Sequence, residues 1–271
     1  MSREPDARRF PALGGECEIY ALGASAAALD DAVAWVRERH ARFTRFEGTS
    51  ELSRLNAAAG TWVEVGGELE ALLRLALDAH ERSGGLVHAG VLPALEAAGY
   101  TRTFADGPTV PTLELPLPLS PLPELLEVAP GRARLAAGAG LDLGGLAKGW
   151  LADRCCERLG PNALVNLGGD LRARGPGPAG EGWPVGFGER TVLLEDQGAA
   201  TSGTTRRRWA DGLHHLIDPR TGLPARSDLE EVSVLARTAA EAEVLAKTTL
   251  LLGRIEGERW LEGRALGWSL R

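Results

Sequence analysis

The sequence predicts an α+β fold on three observations. Segments with period-two and period-3.6 hydrophobicity both occur, the strand-like segments are short, and they do not alternate strictly with the helical ones. Glu16 to Leu22 alternates, with Cys17, Ile19 and Ala21 on one side and Glu16, Glu18 and Tyr20 on the other, which reads as a half-buried strand. Leu29, Ala32, Val33, Val36, His40 and Phe43 then recur at helical spacing, so an amphipathic helix is expected from about Ser25 to Phe43. Leu69, Leu72, Leu73 and Ala76 suggest a second helix. Seven prolines between Pro108 and Pro130 exclude a regular helix there and read as an extended surface connector within one fold. A hairpin (Leu126–Val128 with Arg132–Leu135) and a helix from about Leu146 to Leu159 follow. Next come a short strand around Ala163–Asn166, a Gly-rich turn, and strands ending in Leu213–Ile217 and Val232–Ala236. A long helix from about Ala239 to Leu252 is stopped by Gly253. Residues 1–15 are read as a tail and 16–271 as a single domain.

Composition narrows the function classes. The chain has 271 residues, 44% apolar and 25% charged, which suits one sizeable globular unit. A net charge of −7 argues against non-specific nucleic-acid binding, which needs a basic surface. No apolar run approaches the ~20 residues of a membrane span. The charged start has no apolar signal region, so a cytoplasmic location is expected. Cys17, Cys155 and Cys156 form no zinc-type cluster and read as free, buried thiols.

Three polar turns could carry chemistry, while no P-loop, nucleophile elbow or H-E-x-x-H motif is present. In Leu141-Asp-Leu-Gly-Gly-Leu-Ala-Lys-Gly149, a strand ending at Asp142 is expected to pass through Gly144 and Gly145 into a helix bearing Lys148 in its first turn. Glycines admit a ligand close to the backbone, and helix N-terminal amides favour anions. A lysine there opposes the helix dipole unless it meets a negative partner; the plainer alternative is a tight turn with a solvated lysine. Asn166-Leu-Gly-Gly-Asp170 reads by itself as a turn or bulge. Ala200-Thr-Ser-Gly203 is followed by His214-His-Leu-Ile-Asp-Pro-Arg-Thr-Gly222, where His215 and Asp218 could act as a base and its orienting carboxylate, or could be half-exposed structure.

The joint order of these segments, with Ser50-Glu-Leu-Ser-Arg-Leu-Asn56 ahead of them, resembles the FAD:protein FMN transferase (ApbE) family. That family carries S-E-L-S-x-L-N, D-L-G-G-[IL]-A-K-G, N-L-G-G-D, A-T-S-G and H-H-I-I-D-P-x-T-G in the same order. The resemblance implies an ApbE-like α+β fold of short, mostly antiparallel sheets with packed helices. It also implies transfer of FMN from FAD onto a Thr or Ser hydroxyl of an acceptor protein, with release of AMP. By position it implies FAD contacts from Asp142, Gly145, Lys148, Thr201, Ser202, His215 and Leu216, and from Gly85 and Leu86, which match a G-[AG]-F-D segment near the flavin. His215, aided by Asp218, is the expected catalytic pair.

Two departures stand against that pattern. The family's magnesium is held partly by the Asp and Thr of a late A-D-A-L-A-T helix, where this chain has Ala242-Glu-Val-Leu-Ala-Lys247. Lys247 cannot ligate a metal, so no metal ligand is expected and a magnesium requirement is doubtful. Lys247 is expected to take the cation's place, to contact the cofactor and to pair with Glu243 at i,i+4; a solvent-facing helix pair is the alternative. Val87 stands where the family has an acidic residue. A flavin-binding relative without transferase activity, or an FAD pyrophosphatase, are the competing functions.

Overall fold

The computed structural model describes residues 4–112 and 117–271. Strands β1 (Asp6–Ala12) and β2 (Gly15–Ala21) form a hairpin, so seven residues of the expected tail are an edge strand of the domain. In β2 the alternation holds: Cys17, Ile19 and Ala21 are buried beneath helix α1 (Ala26–Phe43). Ser25 caps α1 by accepting from the Ala28 amide. Helix α2 (Glu51–Ala57), capped by Ser50, gives the Ser50–Asn56 segment its shape. Strand β3 (Trp62–Glu64) and helix α3 (Gly67–Arg82) follow, and the second expected helix is longer than its apolar core suggested.

After α4 (Leu92–Ala97) the chain enters the proline-rich stretch, of which residues 113–116 lie outside the described residues. Its ends are pinned by backbone bonds from Thr109 to Gly99 and from Leu119 to Pro219. The connector is not extended throughout. Helix α5 (Leu122–Leu125) makes one turn with a proline at its start, where the missing N–H costs nothing. It leads into the expected hairpin, β4 (Leu126–Ala129) and β5 (Arg132–Leu135), which β3 extends to three strands.

Helix α6 (Ala147–Leu159) precedes β6 (Ala163–Leu167) and β7 (Asp170–Arg174), joined through Gly168 and Gly169, both at positive φ. Next come the hairpin β8 (Trp183–Phe187) and β9 (Arg190–Leu194), then β10 (Gly198–Gly203). The strand expected to end at Ile217 is broken. Strands β11 (Arg208–Ala210), β12 (Leu213–His214), β13 (Ile217–Asp218) and β14 (Leu223–Pro224) form two small ribbons instead. The His214 ring accepts the Leu216 N–H at 3.3 Å, which turns the chain between them. Strand β15 (Glu231–Ala236), helix α7 (Ala239–Leu252), helix α8 (Arg254–Leu261) and strand β16 (Gly267–Leu270) complete the chain.

The main sheet is antiparallel, in the order β1-β2-β6-β7-β10-β15-β16. One face carries α1, α6 and α7, with Ile19, Val165 and Leu151 in one buried cluster and Val232, Val234 and Leu245 in its neighbour. The β8–β9 hairpin covers part of the other face through Trp183, Val185 and Leu194. All three cysteines are free and buried. No helix among the described residues is long and apolar enough to cross a membrane.

Candidate active site

Helix α6 starts where three glycine-bearing turns meet, and a cleft of about 1050 Å³ opens there. Its lining includes Gly14 and Gly15, Gly144 and Gly145, and Gly168 and Gly169. Of the expected site residues, Leu86, Asp142, Gly145, Lys148, Thr201, Ser202, His215, Leu216 and Lys247 all line this one cleft, though they come from five separate stretches of chain. Gly85 and Asp218 do not line it. Gly85, at φ 90°, turns the backbone against His80 and so delivers Leu86 to the wall.

The segment before α6 is not a strand. Asn56 clamps it, donating to the Leu141 carbonyl at 3.0 Å and accepting the Leu141 N–H at 2.8 Å. Asp142 then accepts the Gly144 N–H at 2.7 Å through Oδ1 and the Arg45 guanidinium at 2.6 Å through Oδ2. Arg45 is buried beside Phe46 and Tyr100 and also donates to the Tyr100 carbonyl at 2.6 Å. Asp142 therefore reaches the cleft already neutralised, by an arginine that nothing in the local sequence identifies.

Lys148 finds the negative partners its place on the helix requires. Its Nζ is ion-paired with Asp170 and with Glu243 Oε1, the latter at 3.0 Å. The second oxygen of Glu243 accepts the Gly149 N–H at 3.0 Å. Gly149 is needed for this approach, because a Cβ there would meet the Ala239 carbonyl at 2.7 Å. Both carboxylates are almost wholly buried, so each charge is held by direct pairing.

Lys247 differs from its expected arrangement. It does not pair with Glu243, which is already engaged; its Nζ crosses to the Gly145 carbonyl at 2.6 Å. Burial pulls its pKa down, opposed by the nearby Glu243. A Cβ at position 145 would overlap Nζ, so only glycine admits the ammonium.

His215 sits half-buried in the cleft, with Nδ1 shielded from solvent and without a hydrogen-bond partner among the described residues. Burial, reinforced by Arg207, Lys247, His214 and Lys148, holds its pKa well below the ordinary value, so the ring is neutral. Asp218 does not orient it. The carboxylate accepts the Arg220 backbone N–H at 2.9 Å and three guanidinium contacts at 2.8–3.2 Å, and the Asp218 carbonyl closes the turn to Gly222. On β10, Thr201 shares a hydrogen bond with Ser233 at 2.9 Å, which fixes its hydroxyl at the cleft wall.

The residues present do not form a metal cage. Among the described residues, no group of three or more His, Cys, Asp or Glu side chains is spaced to hold an ion. Gly145, Asp170 and Glu243 do present oxygens near one another, but Lys247 takes the Gly145 carbonyl, Lys148 takes one oxygen of each carboxylate, and the Gly149 amide takes the second oxygen of Glu243. Arg207, anchored to the Leu13 carbonyl at 3.0 Å, adds a further cation at the rim.

A family model described as the ApbE family matches residues 13–268. The FAD:protein FMN transferase of Treponema pallidum is 33% identical over 261 residues, covering 84% of this chain and 72% of that protein. The protein of the same name from Haemophilus influenzae is 27% identical over 250 residues, covering 80% and 70%. Among solved structures, the ApbE protein of Thermotoga maritima superposes with a TM-score of 0.85 at 24% identity, covering 98% of this chain and 94% of that one. The flavinyl transferase ApbE of Pseudomonas stutzeri, in its apo form, superposes at 0.83 and 22% identity, covering 100% and 96%. These two likenesses establish the fold.

Proposed function

The chain belongs to the ApbE family, and from that premise we propose that it binds FAD in the cleft and transfers FMN to a Thr or Ser hydroxyl of an acceptor protein, releasing AMP. The observation that carries this reading is the convergence of glycine turns, the N-terminus of α6 and cationic side chains on one cleft. A diphosphate needs close backbone approach and offsetting positive charge, and both are supplied there. The volume, about 1050 Å³, suits a dinucleotide-sized ligand.

In this reading Leu86 and Leu216 give apolar contact to the substrate, with Gly85 placing Leu86. Thr201 and Ser202 face it from β10, while Asp142, Gly145 and Lys148 shape the diphosphate corner. The acceptor oxygen attacks the phosphorus on the riboflavin side, the bond to the bridging oxygen breaks, and AMP leaves carrying that oxygen. The hydroxyl proton passes to His215, whose ring is held neutral and is therefore able to accept it. Asp218 is a positioning residue here, because with Arg220 it fixes the turn after His215. Magnesium has no role in this scheme, since the oxygens at the corner are already bonded to protein donors.

The test combines protein, FAD and an acceptor domain with a Thr/Ser flavinylation site, and follows AMP release and acceptor mass. An acceptor heavier by one FMN supports transfer. AMP without labelling means hydrolysis by water at the same site, and bound FAD without AMP means a flavin-binding protein only. His215→Ala should cut transfer by roughly 10²–10⁴-fold while leaving FAD bound. Unchanged transfer in that variant would remove His215 from the reaction.

A further inference from the structure

Lys247 is the one lysine of the cleft with no carboxylate bonded to it among the described residues, and the backbone is shaped to receive it. Its Nζ lies 2.6 Å from the Gly145 carbonyl, and a side chain at position 145 would exclude it. A carbonyl oxygen offsets only part of an ammonium charge, so Lys247 presents surplus positive charge at the start of α6. The other cation of that corner, Lys148, is consumed by Asp170 and Glu243. Both oxygens of Glu243 are occupied, so the carboxylate is not free to ligate an ion. Magnesium requires near-octahedral oxygen ligation at ~2.0–2.1 Å, which a lysine cannot supply and its charge opposes.

Resting on the FAD reading above, we infer that the Lys247 ammonium is a built-in counter-ion for the diphosphate, in the place where a divalent cation would otherwise neutralise it. FAD binding by this chain is then independent of metal. The chemistry recognised is a diphosphate diester, and the glycine at 145 and the lysine at 247 act as one device. A lysine serving only to tie α7 to the 144–146 turn would make the same hydrogen bond, and the experiment separates the two roles.

The experiment measures FAD affinity by flavin fluorescence on EDTA-treated protein, in buffer with EDTA and in buffer with excess MgCl₂. The dissociation constants should agree within about twofold, and titration of MgCl₂ alone into the protein should give no binding heat. Lys247→Met should weaken FAD binding by at least about tenfold, the loss of one charge-assisted contact to the diphosphate. Lys247→Arg should restore part of that loss. Thermal unfolding of each variant, checked first, confirms that the loss is not a failure to fold. Lys247→Thr combined with Glu243→Asp should make FAD affinity depend on magnesium. Tightening by magnesium of tenfold or more in the unmutated protein overturns the inference while leaving the FAD reading intact. So does a folded Lys247→Met that binds FAD as tightly as its parent. Absence of FAD binding in both buffers overturns the inference together with the reading it rests on.

Discussion

Lys148 and Lys247 line the same cleft, yet their surroundings are opposite in kind. Around Lys148 every partner is a buried charge, and the ion pairs join α6, β7 and α7 into one unit. Around Lys247 the only bonded partner among the described residues is a backbone carbonyl. The difference teaches where stability and ligand affinity come from in a charged cleft: a group whose partners are complete holds the fold, and one whose partners are incomplete is left for what enters.

The sharpest way to break this comparison is to remove each ammonium in turn. Lys148→Met leaves Asp170 and Glu243 buried without their counter-ion, and should lower unfolding free energy by about 3–5 kcal/mol in a urea titration. Acid tests the same rule on another group with complete partners. His88 accepts the Gly90 N–H at 3.0 Å through Nδ1 and contacts the Ser120 carbonyl at 2.9 Å through Nε2, so it is held neutral. Burial pushes its pKa down from 6.5 to about 4. Below 6.5 the unfolded chain binds a proton that the folded one refuses. Stability should therefore fall as pH drops from about 6.5 to 4, by on the order of 2 kcal/mol, with His88→Asn flattening that slope in unfolding curves. The smallest effect is expected for Lys247→Met without ligand, within about 1 kcal/mol of the parent, since only one carbonyl loses its donor. A large destabilisation there would erase the contrast between the lysines.

Much of the scaffold was legible because burial is periodic. Strand β2 alternates, α1 shows its apolar stripe, and α7 runs from the Thr238 cap to Gly253 with bounds the sequence already marks. The edge strand β1 was not legible, since Arg9 faces solvent, Arg8 takes an inward position by pairing with Asp30 of α1, and Pro11 interrupts the pattern, as edge strands tolerate. Helix α8 and strand β16, beyond the Gly253 stop, carried no signal strong enough to assign.

The site was legible as a set of turns and not as a set of bonds. Glycine-rich order located Lys148, His215 and Thr201 on one cleft, whereas partners came from remote chain. Helical spacing suggested Glu243 with Lys247, but α6 brings Lys148 and the Gly149 amide to Glu243 first. Asp218 lies three residues from His215, yet Arg220 takes its carboxylate, helped by the backbone turn they share. Arg45 and Arg207 were missed because neither a lone arginine nor one within the Arg206–Arg208 run carries a periodic mark that singles it out. Asn56 belonged to a recognised segment, but its clamp on Leu141 spans 85 residues and has no local trace.

The contact between positions 145 and 247 also constrains descent. These residues are 102 apart in sequence, and a side chain at 145 would overlap the Lys247 ammonium, so position 145 cannot grow while the lysine stays. A branch of this lineage that keeps the lysine must inherit the glycine with it, whereas one that reverts to a hydroxyl at 247 releases position 145 from that steric demand. The lysine at 247, found together with the glycine it needs, is therefore a diagnostic marker by which other sequences can be sorted, before any is purified, into those that carry their own cation and those that must borrow one.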